Sequence, residues 1–399
     1  MDQPKRQLPL VSTEGQDIVD PKVIELLLYG ILPDAKFSHL RGALSVMVGT
    51  MLPAQYSLVE SAIEKFLVEG PADAVKQSAL ARFYNQKSTT LRVGKVYDPS
   101  TKENWKGVYW PNPSAPEPHG RPLYGELPFA KRLKSITKST PIGSAGSCFA
   151  QEIMKHLKSL NYNYVMTEPN DCASANWGPQ YNAVAFQQTV EWSFGLRERP
   201  SLVWKEGVSA DEYSDPFREG VIYKDLSEVS TNLKSHRRAA REALETSEVF
   251  ILTVGLNEVW WLGQTDTILA RFPRKLSSFF VRNEVLTIEQ NVIALQGAFD
   301  ILRSFNPKIK MIVTVSPVPL YATFQADDMH VVVATQQAKA ILRLAIEKFA
   351  KQNLDSVSYF PAMETVLWCT KNPWDDDRRH VSREAVSNVM RLFSEIYFL

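Results

Sequence analysis

Cysteine is scarce in this chain: Cys148, Cys172 and Cys369 are the only three in 399 residues. They are too scattered for a disulfide framework, and no pair has the close spacing of a zinc site, so no metal is expected. Long apolar runs are missing as well. No uncharged stretch approaches the ~18 residues that a membrane span needs, and the opening Met1-Asp2-Gln3-Pro4-Lys5-Arg6 leads into no apolar signal core. These absences predict a cytoplasmic chain, neither secreted nor membrane-spanning. Net charge is nearly absent, at +1 from 45 basic and 44 acidic residues, so no overall field favours nucleic acid or an anionic membrane. A small molecule, a glycan or a protein is the expected partner. No repeat of fixed period points to a solenoid.

What is present divides the chain unevenly. Residues 1–20 are polar and read as a loose N-terminal segment. From 21 to 85, apolar residues at helical spacing, broken at Pro33, Pro53 and Gly70-Pro71, predict a small all-α module whose surface is a candidate for a protein partner. Residues 86–138 turn rich in proline and aromatics, among them Trp105, Tyr109, Trp110 and Phe129, and read as irregular chain wrapping the domain at 139–399.

From 139 to 399 strand and helix alternate. Strands are expected at Tyr162–Met166, Glu248–Val254, Lys310–Val315 and Val357–Phe360. Helices are expected at Glu152–Leu160, Phe186–Phe194, Leu226–Glu245, Ile288–Phe305, Val331–Gln352 and Arg383–Ile396. This predicts an α/β three-layer sandwich on a mainly parallel sheet. Arg237, Arg238, Arg241 and His236 read as the solvated face of one helix. Three turns fall at carboxyl ends of strands, where such sheets bind ligands: 146–148, 255–258 and 316–319.

Those turns carry the candidate chemistry. Thr140-Pro141-Ile142-Gly143-Ser144-Ala145-Gly146-Ser147-Cys148-Phe149 reads as a strand, a tight turn and a helix start, with Ser147 and Cys148 as candidate nucleophiles. Glycine there permits a close approach, and helix N–H groups favour a developing negative charge. His380, with Asp377 three residues before it, has the spacing of a base and the carboxylate that fixes its tautomer. Asn257, with Gly255 just past a buried strand, is a candidate oxyanion donor. Gly178 and Asn182, in a polar loop, are within conceivable reach of the same pocket. His330 is a rival base that precedes a helix.

Gly146-Ser147-Cys148-Phe149-Ala150 resembles the signature of the GSCFA family, whose members are similar to the SGNH (GDSL-like) esterases and acyltransferases. Thr253-Val254-Gly255-Leu256-Asn257-Glu258, Val315-Ser316-Pro317-Val318-Pro319 and Arg379-His380-Val381-Ser382 carry the likeness further, over residues 139–399. Gly255-Leu256-Asn257-Glu258 looks like the Gly-x-Asn-Asp block, with glutamate in place of aspartate, and Asp377-Arg378-Arg379-His380 looks like the Asp-x-x-His block. In the first block the usual Gly-Asp-Ser becomes Gly146-Ser147-Cys148, which places Cys148 in the serine column with Ser147 close behind. Gly178 is the candidate for the remaining glycine donor.

The resemblance implies an SGNH- or flavodoxin-like fold and covalent acyl transfer on a carbohydrate, as esterase or O-acyltransferase in glycan biosynthesis. No cofactor is required, and acetyl-CoA is a conceivable acyl donor, suggested by scattered arginines. The alternative is a catalytically idle domain that binds a glycan or scaffolds a biosynthetic complex.

Overall fold

The runs Ile142–Gly146, Val249–Val254 and Lys310–Val315 are apolar on both faces of the chain, as strands covered by helices on either side must be. In the computed structural model, residues 133, 135–171, 173–204, 212–263, 265–272, 281–325 and 327–399 are described, the side chain of Cys148 apart. The segments 1–20 and 21–85 and nearly all of 86–138 lie outside the described residues. In chain order the elements are β1 (Ile142–Gly146), α1 (Cys148–Ser159), α2 (Ala183–Phe194), β2 (Tyr213–Ser214), β3 (Ile222–Tyr223), α3 (Leu226–Thr246), β4 (Val249–Val254), β5 (Glu258–Leu262) and β6 (Val281–Val285). They continue with α4 (Ile288–Phe305), β7 (Lys310–Val315), α5 (Val331–Gln352), β8 (Val357–Tyr359), α6 (Ala362–Cys369) and α7 (Arg383–Tyr397).

The main sheet is parallel, in the order β1-β4-β7-β8, with Gly146 beside Thr253, Val254 beside Val315 and Val313 beside Tyr359. Tyr164 adds a parallel bridge to Ile142 on the free edge of β1. Including it, the sheet runs in the doubly wound order 2-1-3-4-5, which reverses direction between β1 and β4. At such a switch point two crossover connections leave on opposite faces and open a crevice above the strand ends.

Alternation along each strand splits the core. Phe250, Leu252, Val254, Met311, Val313 and Val315 face the layer that contains α2 to α5. Ile142, Val249, Ile251 and Ile312 face the other, where α1, α6 and α7 pack through residues such as Phe149, Ile153, Val366 and Phe393. The result is the expected three-layer α/β arrangement.

Local chemistry explains the element ends. α4 begins with a capping box between Thr287 and Gln290, and Asp225 and Ser382 cap α3 and α7 with their side chains. Several boundaries differ from expectation. α1 starts at Cys148, not Glu152, because the chain enters the helix straight from the turn. α2 starts at Ala183, because Asn182 caps it. The strand expected at Tyr162–Met166 shrinks to its single bridge at Tyr164. The run after Asn257 is not turn alone: β5 and β6 form an antiparallel hairpin, Glu258 opposite Val285.

Candidate functional site

Gly146 closes β1 at φ +153°, and a Cβ there would lie 2.6 Å from the carbonyl oxygen of Thr253 on the neighbouring strand. Only glycine fits so close to that strand. Ser147 follows as the N-cap of α1, and its N–H donates to Thr253 O at 3.2 Å. An N-cap serine ordinarily spends its hydroxyl on an N–H of the first turn. Ser147 does not: its Oγ is buried and has no hydrogen-bond partner. Cys148 is the first residue of α1, where the helix end presents N–H groups without intrahelical acceptors.

The loop between Ala173 and Asn182 ties the two strand ends at the switch point together. Gln180 N–H donates to Gly146 O at 2.9 Å, and Tyr181 O accepts from both Gly255 N and Leu256 N, at 2.8 and 2.9 Å. The Gly255 N–H is therefore already committed. Asn182 is buried and spends its Oδ1 on capping α2, accepting from Ala185 N at 2.9 Å. Gly178 has φ +67°, and a Cβ there would lie 2.9 Å from the Glu219 backbone nitrogen; its placement serves packing against the 218–219 backbone.

Asn257 stands where expected, just past β4, and is fully buried. Its Nδ2 donates to Leu286 O at 2.7 Å, and its Oδ1 accepts from Asn291 Nδ2 at 2.9 Å. One of its two amide hydrogens remains for another acceptor. The neighbouring Glu258 is also buried. Its carboxylate accepts from Thr323 Oγ1 and Phe324 N, at 2.5 and 2.9 Å, and so anchors the loop that follows β7.

Asp377 and His380 form the pair that their spacing suggested. The carboxylate turns back on the loop, with Oδ2 accepting from the His380 ring Nδ1 and Oδ1 accepting the N–H groups of Arg379 and His380, both at 2.9 Å. Arg378, at φ +56°, takes the left-handed conformation that makes this reversal. The backbone N–H groups of His380 and Arg379, then the ring, hold the Asp377 carboxyl down at about 2. With Nδ1 bonded to a carboxylate, Nε2 of the neutral ring carries the lone pair. His380 lines a groove of about 940 Å³ together with Asp375, Val318 and, from the first turns of α1, Phe149 and Glu152. One groove is thus walled by the helix that begins at Cys148 and by the Asp377-paired histidine.

Two further residues, not singled out in the sequence, lie at the same strand ends. Lys339 on α5 is 5% exposed and donates its Nζ to Gly255 O at 2.8 Å. Arg379 sets its guanidinium 5.4 Å from the exposed Tyr321 ring, and its Nε is buried without a partner. Burial, reinforced by the positive charge of Arg379, lowers the Lys339 ammonium to about 7. Among the described residues no carboxylate pairs with either side chain, so the pole they form is open to a negative charge.

Other candidates resolve differently. His330 caps α5, its Nδ1 accepting from Val332 N at 3.3 Å, a reason for its position that needs no chemistry. His236 is not on a solvated face: it is buried and bonds Glu168 Oε2 through Nδ1 at 2.6 Å. Cys369 is buried at the end of α6, and Cys172 lies outside the described residues. Among the described residues no group of three His, Cys, Asp or Glu side chains is placed to hold a metal ion, and no helix is long and apolar enough to cross a membrane.

Comparison with known proteins yields a family and two structural likenesses. No curated protein matches the chain. A carbohydrate esterase family 3 structure from Talaromyces cellulolyticus aligns at 10% identity and a TM-score of 0.31, covering 64% of this chain and 94% of that one. The acetyl xylan esterase Est2A from the rumen bacterium Butyrivibrio proteoclasticus aligns at 12% identity and a TM-score of 0.30, covering 64% of this chain and 63% of that one. The GSCFA family model matches residues 141–393, a span that runs from the strand before Ser147 through the Asp377–His380 pair and into α7. The chain belongs to the GSCFA family.

Proposed function

We propose that this protein is an acyl-transfer enzyme acting on a carbohydrate, with the turn at Ser147-Cys148 as nucleophile and His380 as general base. The observation that carries this reading is the shared groove: residues of the first turns of α1 and His380, its Nδ1 held by Asp377, wall the same space at the carboxyl edge of the sheet.

In the proposed reaction the Cys148 thiol or the Ser147 hydroxyl attacks an ester or thioester carbonyl carbon as its proton passes to His380 Nε2. The tetrahedral oxyanion is held by the α1 N-terminus, by the spare N–H of Asn257 and by the Lys339–Arg379 pole. Collapse breaks the bond to the leaving alcohol or thiol, which takes the proton from His380 and leaves an acyl-enzyme. Water, or a sugar hydroxyl, then gives its proton to His380, attacks the acyl carbon and releases the enzyme. The nucleophile column of the family signature favours Cys148, whereas the unused N-cap hydroxyl favours Ser147. No cofactor enters this scheme. Acetyl-CoA is one donor to try, and a cytoplasmic place in glycan biosynthesis is the setting proposed for a transferase.

A second reading, an idle glycan-binding or scaffolding domain, is favoured by one observation. The Asn257 amide already serves Leu286 and Asn291, as a purely structural asparagine would. Hydrolysis of p-nitrophenyl acetate, and acetyl transfer from it to sugar acceptors, separate the two. The enzyme reading requires turnover that is lost in His380→Ala and in one of Cys148→Ala or Ser147→Ala. Activity absent in the wild type, or unchanged in every variant, supports the binding domain.

A further inference from the structure

We propose a second ligand site, a cavity of about 290 Å³ walled by α2, α3 and the segment from 197 to 218, which binds a small organic oxyanion. The site stands independently of the acyl-transfer reading.

The cavity's lining is built of donors and positive charge. Trp177 and Trp192 both line it, both are more than nine-tenths buried, and both indole N–H groups are buried with no acceptor. An unmet buried donor costs about 1–3 kcal/mol, so two in one wall call for a ligand that brings acceptors. Arg199 lies against the rings of Trp192 and Phe217, its Cζ 5.4 and 5.1 Å from their centroids, and its Nη2 reaches Asp215. Asp215 is shared with the buried Arg218, whose Nε donates to it at 2.9 Å, so one carboxylate serves two guanidiniums.

Arg218 is fixed by further bonds to Tyr223, Asn232 and the Asn176 carbonyl, and contributes charge more than a free donor. Lys234 and Arg237 stand at the rim with no carboxylate partner among the described residues, while the only acid in the lining is the exposed Glu198. An excess of positive charge therefore faces a cavity floored by aromatic rings.

His236 narrows the ligand class. Its Nδ1 hydrogen is given to Glu168, and burial keeps the ring neutral in spite of that bond, so Nε2 presents a lone pair to the lining. A bare anion offers it nothing. An oxyanion on a hydroxylated frame satisfies both sets of groups: its charged oxygens meet the indoles and Arg199, and a hydroxyl donates to His236. A sugar phosphate and a sugar acid share that chemistry.

Calorimetry on the full chain with glucose 6-phosphate, glucuronate and neutral glucose tests this, alongside the indole N–H signals of Trp177 and Trp192 assigned through Trp→Phe variants. The expected result is saturable 1:1 binding of one or both anions, at least about tenfold tighter than glucose, from the charge-assisted hydrogen bonds involved. Both indole signals should move on binding, and Arg199→Gln should weaken it by a similar factor. Comparison of the phosphate and uronate arms decides which oxyanion the site takes. Should Arg199→Gln not fold, the double variant Lys234→Gln/Arg237→Gln at the rim must weaken binding severalfold. Equal binding of glucose, no binding of either anion up to millimolar concentration, or unmoved indole signals overturns the proposal.

Discussion

Lys339 reaches the carbonyl of Gly255 from the neighbouring layer, 2.8 Å away, and so places a buried ammonium at the end of β4 with no acid to neutralise it. Burial, then Arg379, lowers its titration to about 7, against about 10.5 in an unfolded chain. Between those values the unfolded chain holds a proton that the folded one lacks, so raising the pH favours the fold; this contribution is lost as the pH falls through about 7. Urea unfolding of the wild type should show stability rising from neutral pH toward pH ~10, and Lys339→Met should remove that slope. Parallel curves for the two proteins would show that Lys339 keeps an ordinary ammonium.

Asp377→Asn should leave the fold intact, since the pair is exposed, but should drop turnover by about 10²–10⁴, the range expected when a catalytic histidine loses the carboxylate that orients it. Circular dichroism controls for folding. Activity within a factor of two of wild type would remove Asp377 from the mechanism.

Asn257 and Asn291 allow structure and chemistry to be told apart. Each truncation to alanine strands a buried polar partner, and a loss of about 1–3 kcal/mol in stability is expected for both. Only Asn257 is placed to face the reacting oxygen, so Asn257→Ala should lower kcat well beyond Asn291→Ala. Equal losses would make Asn257 a structural residue.

Gly146→Ala tests the geometry of the nucleophile turn. The added methyl would sit 2.6 Å from Thr253 O at a φ that alanine avoids, and β1 would have to move off β4. A destabilisation of roughly 2 kcal/mol or more is expected in thermal melts. A melting temperature unchanged from wild type would contradict the close approach of these strands.

Much of this architecture was legible in the sequence. Lys310–Val315, Ile288–Phe305 and Val331–Gln352 form over the ranges their patterns predict, because strands buried on both faces are continuously apolar and because caps such as Thr287 mark a helix start. The Asp377–His380 contact was legible from spacing alone, being a local reversal. The β5–β6 hairpin was not: Val281-Arg282-Asn283-Glu284-Val285 is largely polar and its partner lies some twenty residues upstream, so nothing local signals the pairing.

Lys339 and His236 escaped because a charged residue in a helix reads as solvent-facing. Yet Thr335, Lys339, Leu342 and Ile346 follow the 4-3-4 spacing of a buried stripe, as do Val229, Leu233, His236 and Ala240. All of these are buried except Leu233, which is half-buried. A polar residue inside an apolar stripe was the available signal in both helices.

The most direct test of covalent acyl chemistry is intact-protein mass spectrometry after brief exposure to an activated acetyl ester and, separately, to acetyl-CoA, with peptide mapping and His380→Ala as control. One acetyl group on Cys148 or Ser147, absent in the control, is the predicted result. An acetyl group that persists in His380→Ala, or that maps elsewhere in a folded protein, would contradict it.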